Sequence, residues 1–449
     1  MALTERDLAD IRWGYGLSPR GRSQGGPDAM LAALAETDAA EGLPFPERAR
    51  LLRDFVEARR SARQKVDGAE EAQKSAQGAL RRQYFVDLRA DLARAVGGGS
   101  PFRERLTAFW SDHFAVRASS ARLRVFAPDL VVQAIRPHVG GRFPDMLLAV
   151  VTHPAMLDYL DQSTSIGPGS QVGQRRGRGL NENLAREVLE LHTLGVDADY
   201  AQKDVREFAE LLTGMTFDDE GFRFRAQIAE PGAETVLGTR YGGRRAAFGA
   251  VVDALVDLAL RPDTARHLAG KLIEHFVGGP PERGHLDRVA EAYLASDGDL
   301  TVTYRALLAD GAAWSPELRK VKTPFEFIVA SLRAFGVTAG DVSKLRPREL
   351  TRTVLRPLAA MGQPYMMPPG PDGWSEDPGD WISASGLAAR ILWARETAGR
   401  FEARQTPARF LETTLGSGVT PEVARATRRA ESRADALAIV LASPEFNRR

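Results

Sequence analysis

Residues 181–195 read Asn181-Glu-Asn-Leu-Ala-Arg-Glu-Val-Leu-Glu-Leu-His-Thr-Leu-Gly195, and this stretch predicts the kind of fold that the chain adopts. Its apolar residues Leu184, Val188 and Leu189 fall on one broad side of a regular helix, and its charged residues fall mostly on the other. A glycine follows the last apolar residue, as is typical of a helix end. The same periodicity recurs along most of the chain, so we predict a mainly α, multi-helical globular protein.

Working outward from this stretch, the sequence divides into three regions. Residues 46–97 predict one or two long helices, and 102–117 and 202–212 predict further helices of an N-terminal helical region, 1–214. Alternating apolar and polar residues over 215–245 predict a short β-hairpin insertion. Helical periodicity then resumes over a C-terminal region, 246–449. We expect the two helical regions to pack together as one compact unit.

Composition excludes several classes of protein. The chain has 449 residues, of which 43% are hydrophobic and 27% charged, which is typical of a globular protein. A formal net charge of +1 argues against nucleic acid as the main partner. No apolar run is long enough to span a membrane. The N-terminus lacks the apolar segment of a signal peptide, so we expect a cytoplasmic protein.

The first candidate site is a row of polar residues on the 181–194 helix. At 100° per residue, Asn183, Glu187 and Glu190 lie within about 60° of one another. We predict that Glu187 is a general base, with Glu190 beside it. An alternative remains open, because Glu182, Arg186 and Glu190 have the spacing of ordinary surface ion pairs.

A second prediction concerns a metal site. The chain contains no cysteine, so a metal would need histidine and carboxylate ligands. His113 and His192 both lie on apolar helix faces, and we predict that they meet across a helix interface and bind a divalent transition metal with Asp204. On a regular helix His192 lies roughly opposite Glu187, so those two side chains cannot bind one ion. The alternative is that both histidines are neutral core residues.

The remaining candidates would bind substrate, and His192 is also a candidate acid–base residue. A Pro- and Gly-rich loop around Trp374 and Trp381 has the stiffness and aromatic content that suit a sugar or a peptide, although a rigid loop packed over helices explains it equally well. The predicted substrate-binding residues are Asn181, Asn183, Arg186, Trp110 and Trp374.

Several runs of the sequence resemble one known family. They include Phe109-Trp-Ser-Asp-His-Phe-Ala, His153-Pro-Ala-Met-Leu-Asp-Tyr-Leu-Asp, the 181–195 stretch, Lys271-Leu-Ile-Glu-His-Phe-Val and Lys322-Thr-Pro-Phe-Glu-Phe. Together with the runs at 361–374 and 441–446, they cover nearly the whole chain. The chain resembles the bacterial family catalogued as domain of unknown function 1800.

The resemblance implies a large, mostly helical protein that is often encoded beside an exported partner similar to alkaline phosphatases and sulfatases. Co-export with such a partner would place the protein in the periplasm. Many relatives carry a histidine where this sequence has Ala229-Glu-Pro-Gly, so a site that uses this position is in doubt here.

These observations favour a metal-dependent hydrolytic enzyme whose site lies between the helices at 102–117, 181–194 and 202–212. One alternative is a non-catalytic helical partner or chaperone of the exported phosphatase-like or sulfatase-like protein. Another is a carbohydrate-binding protein that uses the tryptophans of the Pro-rich loop.

Overall fold

The structure is a computed structural model that describes residues 3–21, 24–35, 42–176 and 179–449. In these ranges helices dominate. The helices of the first half are α1 (Glu5–Arg12), α2 (Pro27–Ala32), α3 (Phe45–Arg63), α4 (Ala69–Gly97), α5 (Pro101–His113), α6 (Ala121–Asp129), α7 (Phe143–Val151), α8 (Pro154–Tyr159), α9 (Gln171–Arg176), α10 (Asn183–Glu187) and α11 (Gln202–Leu211). π-Helical turns extend α6 over Leu130–Ile135 and α10 over Val188–Thr193.

The second half is helical again. Its helices are α12 (Phe248–Ala259), α13 (Pro262–Phe276), α14 (Arg283–Ala295), α15 (Leu300–Leu308), α16 (Pro324–Ala334), α17 (Ala339–Ser343), α18 (Pro347–Leu350), α19 (Arg356–Ala360), α20 (Pro378–Trp381), α21 (Ala384–Phe401), α22 (Pro407–Leu415), α23 (Pro421–Arg428), α24 (Arg433–Ala442) and α25 (Pro444–Asn447). A π-helical segment, Thr351–Leu355, joins α18 to α19. Within the described ranges, no helix combines the length and the apolar character that crossing a membrane requires.

The β structure consists of two small antiparallel hairpins. Strand β1 (Met215–Asp218) pairs with β2 (Gly221–Phe224), and β3 (Gly232–Val236) pairs with β4 (Thr239–Gly243). Both hairpins fall inside the predicted 215–245 insertion. The mainly α fold with a small β insertion is therefore confirmed.

Buried apolar side chains form two separate clusters. The first extends from Ala9 to Ala313 along the chain and includes the apolar face of α5. The second combines Phe85–Val96 of α4 with side chains from Phe327 to Phe446. Helices α4 and α5 follow each other in sequence but belong mainly to different clusters. Their mutual face is therefore the seam between the two cores.

The helices at this seam begin with well-defined caps. The Ser100 hydroxyl accepts a hydrogen bond from the Arg103 amide at 3.3 Å, and Pro101 occupies the first turn of α5. On α16, Thr323 and Glu326 form a reciprocal capping box. These caps fix where each helix starts, and so they fix which side chains face the seam.

A buried arginine connects the helices beside the seam. The Arg48 guanidinium of α3 binds both carboxylate oxygens of Asp87 on α4 at 2.9 Å. Its Nε lies 3.2 Å from Asp129 of α6. Bidentate pairing of this kind has a fixed geometry, so it holds the three helices in one arrangement.

Candidate functional site

A cleft of about 220 Å³ opens at the seam between the two cores. Its walls come from α4, α5, the start of α16 and the loop at 363–376. Small side chains explain the free space, because Ala90 of α4, Ala108 and Ser111 of α5, and Ala115 just after α5 line it where larger residues would fill it.

Helix α5 presents two different faces. Glu104, Ala108, Ser111 and Asp112 line the cleft at four-, three- and one-residue steps, which is one side of a helix. Trp110 lies on the other side and is fully buried, with its indole N–H donating to the Tyr304 hydroxyl at 2.6 Å. The substrate-binding role predicted for Trp110 is therefore not available to it in this structure, because the indole is enclosed in the core.

The loop at 363–376 is held directly against the end of α5. The Trp374 amide donates to Asp112 Oδ1 at 2.9 Å. Gly373 has a φ of +85°, and a Cβ atom there would lie 2.6 Å from the Asp112 carbonyl oxygen. Only glycine allows this approach, so Gly373 determines where Trp374 meets the cleft.

Almost every charge on the cleft wall is neutralised by another side chain of the protein. Glu326 pairs with Arg105, and it also lies 3.0 Å from Arg449. Glu376 lies 2.5 Å from both His275 and Lys320. The other paired carboxyl groups of the wall are Asp87 with Arg48, Asp91 with Arg94, and Glu104 with Arg136.

The hydrogen bonds of His275 define its tautomer. Nδ1 donates to Glu376 at 2.5 Å, and Nε2 accepts from the Arg105 guanidinium at 3.2 Å. Burial lowers the pKa of His275 to about 3, despite the opposing effect of Glu376. Burial opposes ionisation of Glu376, but His275 and Lys320 outweigh it and lower the pKa of Glu376. His275 is thus a neutral bridge between a carboxylate and a guanidinium.

Asp112 is the exception among the described acidic residues of the cleft, because no basic group lies within 4 Å of its carboxyl group. Its pKa is raised to about 7, mainly by burial and also by Glu376 and Asp372, while the Trp374 amide and Lys271 oppose the shift. Both protonation states are therefore populated near neutral pH, as an acid–base group requires.

The rings of the two histidines predicted as metal ligands, His113 and His192, lie 6.0 Å apart, and Nδ1 of each is buried without a hydrogen-bond partner among the described residues. Nε2 of His113 donates to the His192 carbonyl at 3.2 Å, and Nε2 of His267 donates to the Leu191 carbonyl at 3.1 Å. Both acceptors lie in the π-helical turn, near a helix end where carbonyls lack intrahelical partners. The side chains therefore complete the hydrogen bonding of this turn.

These histidines are neutral. Burial, together with the charge of Lys271, lowers the pKa of His192 to about 3 and that of His267 to about 4, and the same two causes lower the pKa of His113. His267, Lys271 and His275 follow one another at four-residue steps on α13, so all three lie on one face of this helix. The alternative of neutral core histidines agrees with these contacts.

Asp204, the third predicted ligand, acts at the start of α11. Its Oδ2 accepts from the Ala201 amide at 2.9 Å, and its Oδ1 accepts from the Leu237 amide at 2.8 Å. It thereby ties α11 to the second hairpin. No group of three or more histidine, aspartate and glutamate side chains suited to a metal ion occurs in the part of the chain that the structure describes. The predicted set of His113, His192 and Asp204 is therefore not assembled.

The predicted polar face of the 181–194 helix lies outside the lining of the cleft. Arg186 is 3.4 Å from Glu182 and 3.1 Å from Glu190, as the surface ion-pair alternative requires. Burial raises the pKa of Glu187, with contributions from Glu190 and Asp372. Asp372 also raises the pKa of Asp112, so its loop connects the predicted face electrostatically to the cleft.

Two asparagines complete the predicted set, and one of them has a clear structural role. The side-chain Nδ2 of Asn181 donates to the carbonyls of Leu160 at 3.1 Å and Asp161 at 3.2 Å. Its Oδ1 accepts from the backbone amide of Asn183. Asn181 therefore fixes the approach to α10. Asn183 is exposed at the helix start, and its role in binding substrate stays a prediction.

The two tryptophans of the Pro-rich loop differ in exposure. Trp374 lines the cleft. Trp381 is 5% exposed, and its indole N–H donates to the Ser375 carbonyl at 2.9 Å. Trp374 can therefore contact a ligand in the cleft, whereas Trp381 supports the loop from behind.

Sequence reasoning missed Asp112, Glu376 and His275 as members of one site. Asp112 lies within a run already singled out for its aromatic residues, and its position on one face with Ala108 was the available signal. No comparable signal exists for Glu376, because its partners come from distant segments of the chain.

The contact between Gly373 and α5 can be tested by adding one methyl group. We expect Gly373→Ala to destabilise the protein by about 2–4 kcal/mol, because it combines a strained φ with a clash against Asp112. Gly362→Ala is the control, since Gly362 also has a positive φ but nothing lies within 4 Å of the added Cβ. It should cost about 1 kcal/mol. Urea unfolding measures both variants, and equal losses would contradict the proposed contact.

The pKa of Asp112 predicts a specific pH dependence of stability. Between its ordinary value of 3.8 and about 7, Asp112 binds more protons in the folded than in the unfolded chain. Its contribution to the free energy of unfolding therefore falls as the pH rises through this range. We expect the difference between wild type and Asp112→Asn to fall by about 2–4 kcal/mol from pH 4 to pH 7. A difference independent of pH, in urea titrations, would contradict the raised pKa.

Comparison with known proteins supports the motif-based resemblance. A family model described as "Protein of unknown function (DUF1800)" matches residues 10–448. Neither a curated protein nor a solved structure matches the chain significantly. The family match covers nearly the whole chain and includes every wall of the cleft. The chain therefore belongs to the DUF1800 family.

Proposed function

We propose that the protein is a hydrolytic enzyme in which Asp112 is the acid–base group and the cleft between α4 and α5 holds the substrate. One observation carries the proposal: Asp112 is the described acidic residue of the cleft that has no basic partner within 4 Å. A carboxyl group left free in this way can exchange its proton with a ligand instead of holding an ion pair.

The surroundings of Asp112 suit this role. The Trp374 amide holds Oδ1 in place, while Oδ2 makes no hydrogen bond to a described residue. In the reaction, the carboxylic acid donates its proton to the leaving group as the bond breaks. The resulting carboxylate then takes a proton from the attacking water, which restores the acid.

The proposal assigns no step to a metal ion. The divalent transition metal expected from the sequence has no ligand group among the residues described. The predicted base, Glu187, lies outside the cleft lining and is retained as the competing assignment. Its pKa is raised by burial, as is that of Asp112, so both carboxyl groups need to be tested.

Turnover of simple chromogenic substrates tests the proposal. The probes are p-nitrophenyl acetate, phosphate, sulfate and β-D-glucopyranoside. We expect the wild type to hydrolyse at least one of them, and we expect Asp112→Asn to reduce that rate about 100-fold or more, because acid–base groups contribute about 10²–10⁴-fold. The substitution is isosteric, so thermal unfolding should show a folded variant.

Asp91→Asn is the matched control, since Asp91 lies on the same wall but is engaged by Arg94 and by the Tyr365 hydroxyl. It should retain the rate within about threefold. A wild type inactive on every probe would contradict the proposal. Loss of activity in Glu187→Gln but not in Asp112→Asn would transfer the role of base to Glu187.

As a second candidate, we propose that the chain binds the exported phosphatase-like or sulfatase-like protein expected from the family resemblance. The supporting observation is an apolar strip on the surface of α21 together with Ile382, which lies two residues before the helix. Ile382 is 42% exposed, Ile391 is 40% exposed and Leu392 is 65% exposed. Apolar residues grouped on one exposed helix face are typical of a protein-binding surface.

Co-purification with the protein encoded beside this chain tests the second candidate. We expect a complex that the double variant Ile391→Glu, Leu392→Glu disrupts, because charges replace the apolar contact. Val302→Glu is the control, since Val302 is 40% exposed on α15, away from the strip. If the strip variant binds as well as the control, this assignment of the surface is wrong.

A further inference from the structure

We infer that the ligand of the cleft is an uncharged polyhydroxylated molecule, such as one sugar unit. This inference rests on the proposed function for the location of the site, and it adds the chemical class of the substrate. It depends on four features of the cleft: its charges, its free hydrogen-bonding atoms, its aromatic side chains and its size.

The charges of the wall favour a neutral ligand. Apart from Asp112, each described acidic residue of the cleft lies within 4 Å of a basic side chain. The basic residues of the wall, Arg94 and Arg105, are engaged in these same pairs. An anionic ligand would have to be desolvated without finding a free cation on the wall, which is unfavourable in a buried site. A cationic ligand would find one partner, Asp112, whose raised pKa leaves it partly protonated near neutral pH.

Free hydrogen-bonding atoms nevertheless remain on the wall. Neither the Tyr15 hydroxyl nor Gln363 Nε2 makes a hydrogen bond to a described residue, although Gln363 Oε1 accepts from the Phe325 amide at 2.8 Å. These atoms are donors, and the tyrosine hydroxyl can also accept.

The wall also offers hydrogen-bond acceptors. Asp112 Oδ2 is free, and the Ser111 hydroxyl donates to the Thr107 carbonyl at 2.7 Å but keeps its own lone pairs. A ligand that satisfies this wall must both donate and accept at several points. Hydroxyl groups do both, which neither a carboxylate nor an ammonium group can do.

Aromatic side chains and volume agree with a single ring. Trp374 and Tyr365 line the cleft and offer apolar surface to the C–H groups of a sugar. The cleft of about 220 Å³ corresponds to about seven waters, at about 30 Å³ each in the liquid. That space fits one six-membered ring with its hydroxyl groups.

Binding is measured by tryptophan fluorescence on full-length Asp112→Asn, in which turnover is blocked. The neutral probes are glucose, galactose, mannose and xylose, and the charged counterparts are glucose 6-phosphate and glucosamine. Trp374 is the one tryptophan among the described lining residues, so Trp374→Phe should abolish the signal. We expect at least one neutral sugar to bind at least tenfold more tightly than its charged counterpart.

Removing the Tyr15 hydroxyl tests whether the sugar binds against this wall of the cleft. Tyr15→Phe should weaken binding of that sugar about fivefold, because one hydrogen bond to the ligand is lost. It should leave thermal stability nearly unchanged, since the hydroxyl has no described protein partner. Tyr84→Phe, outside the cleft, is the matched control and should leave binding unchanged.

The inference is overturned if no neutral sugar binds, if the charged sugars bind equally or more tightly, or if Tyr15→Phe has no effect on binding. Its failure is distinguishable from failure of the proposed function. Sugar binding by Asp112→Asn without hydrolysis by the wild type would sustain the ligand class and reject the enzyme. Hydrolysis of an ester probe without sugar binding would sustain the enzyme and reject the ligand class.

Discussion

A buried ionic network joins the two hydrophobic cores, and the cleft depends on it. Glu326 of α16 lies between Arg105 of α5 and Arg449 near the end of the chain. Since α5 packs in the first core and α16 in the second, this carboxylate holds the cores together. Buried charges are costly to separate from their partners, so the network resists relative movement of the two walls.

The same network determines which side chains are left for chemistry. His275 links Arg105 to Glu376, and Glu376 also pairs with Lys320. Each of these groups is occupied by another, and none is free to exchange a proton with a ligand. Asp112 lies beside the network but outside its pairs. Its raised pKa follows from this position, because burial and neighbouring carboxylates act on it without a compensating cation within 4 Å.

The loop at 363–376 adds the last wall. It is positioned by backbone contacts rather than by apolar packing alone: Gly373 approaches the end of α5, and the Met366 carbonyl accepts from the Ala118 amide at 2.9 Å. Trp374 is brought to Asp112 by these contacts. The loop tip also carries Asp372, which affects both Asp112 and Glu187. The predicted face of the 181–194 helix is therefore coupled to the cleft electrostatically through this loop.

The sequence by itself determined the helical class, the β insertion and the aromatic run of α5, because these follow from local periodicity. It also indicated the loop around Trp374. The predicted metal site needed Asp204 to lie beside His113 and His192, but this carboxylate accepts hydrogen bonds from the Ala201 and Leu237 amides instead. Only the tertiary structure placed Arg105, Glu326, Arg449 and His275 together and left Asp112 unpaired. These partners lie more than a hundred residues apart, and ion pairing between distant segments leaves no periodic signal in a sequence.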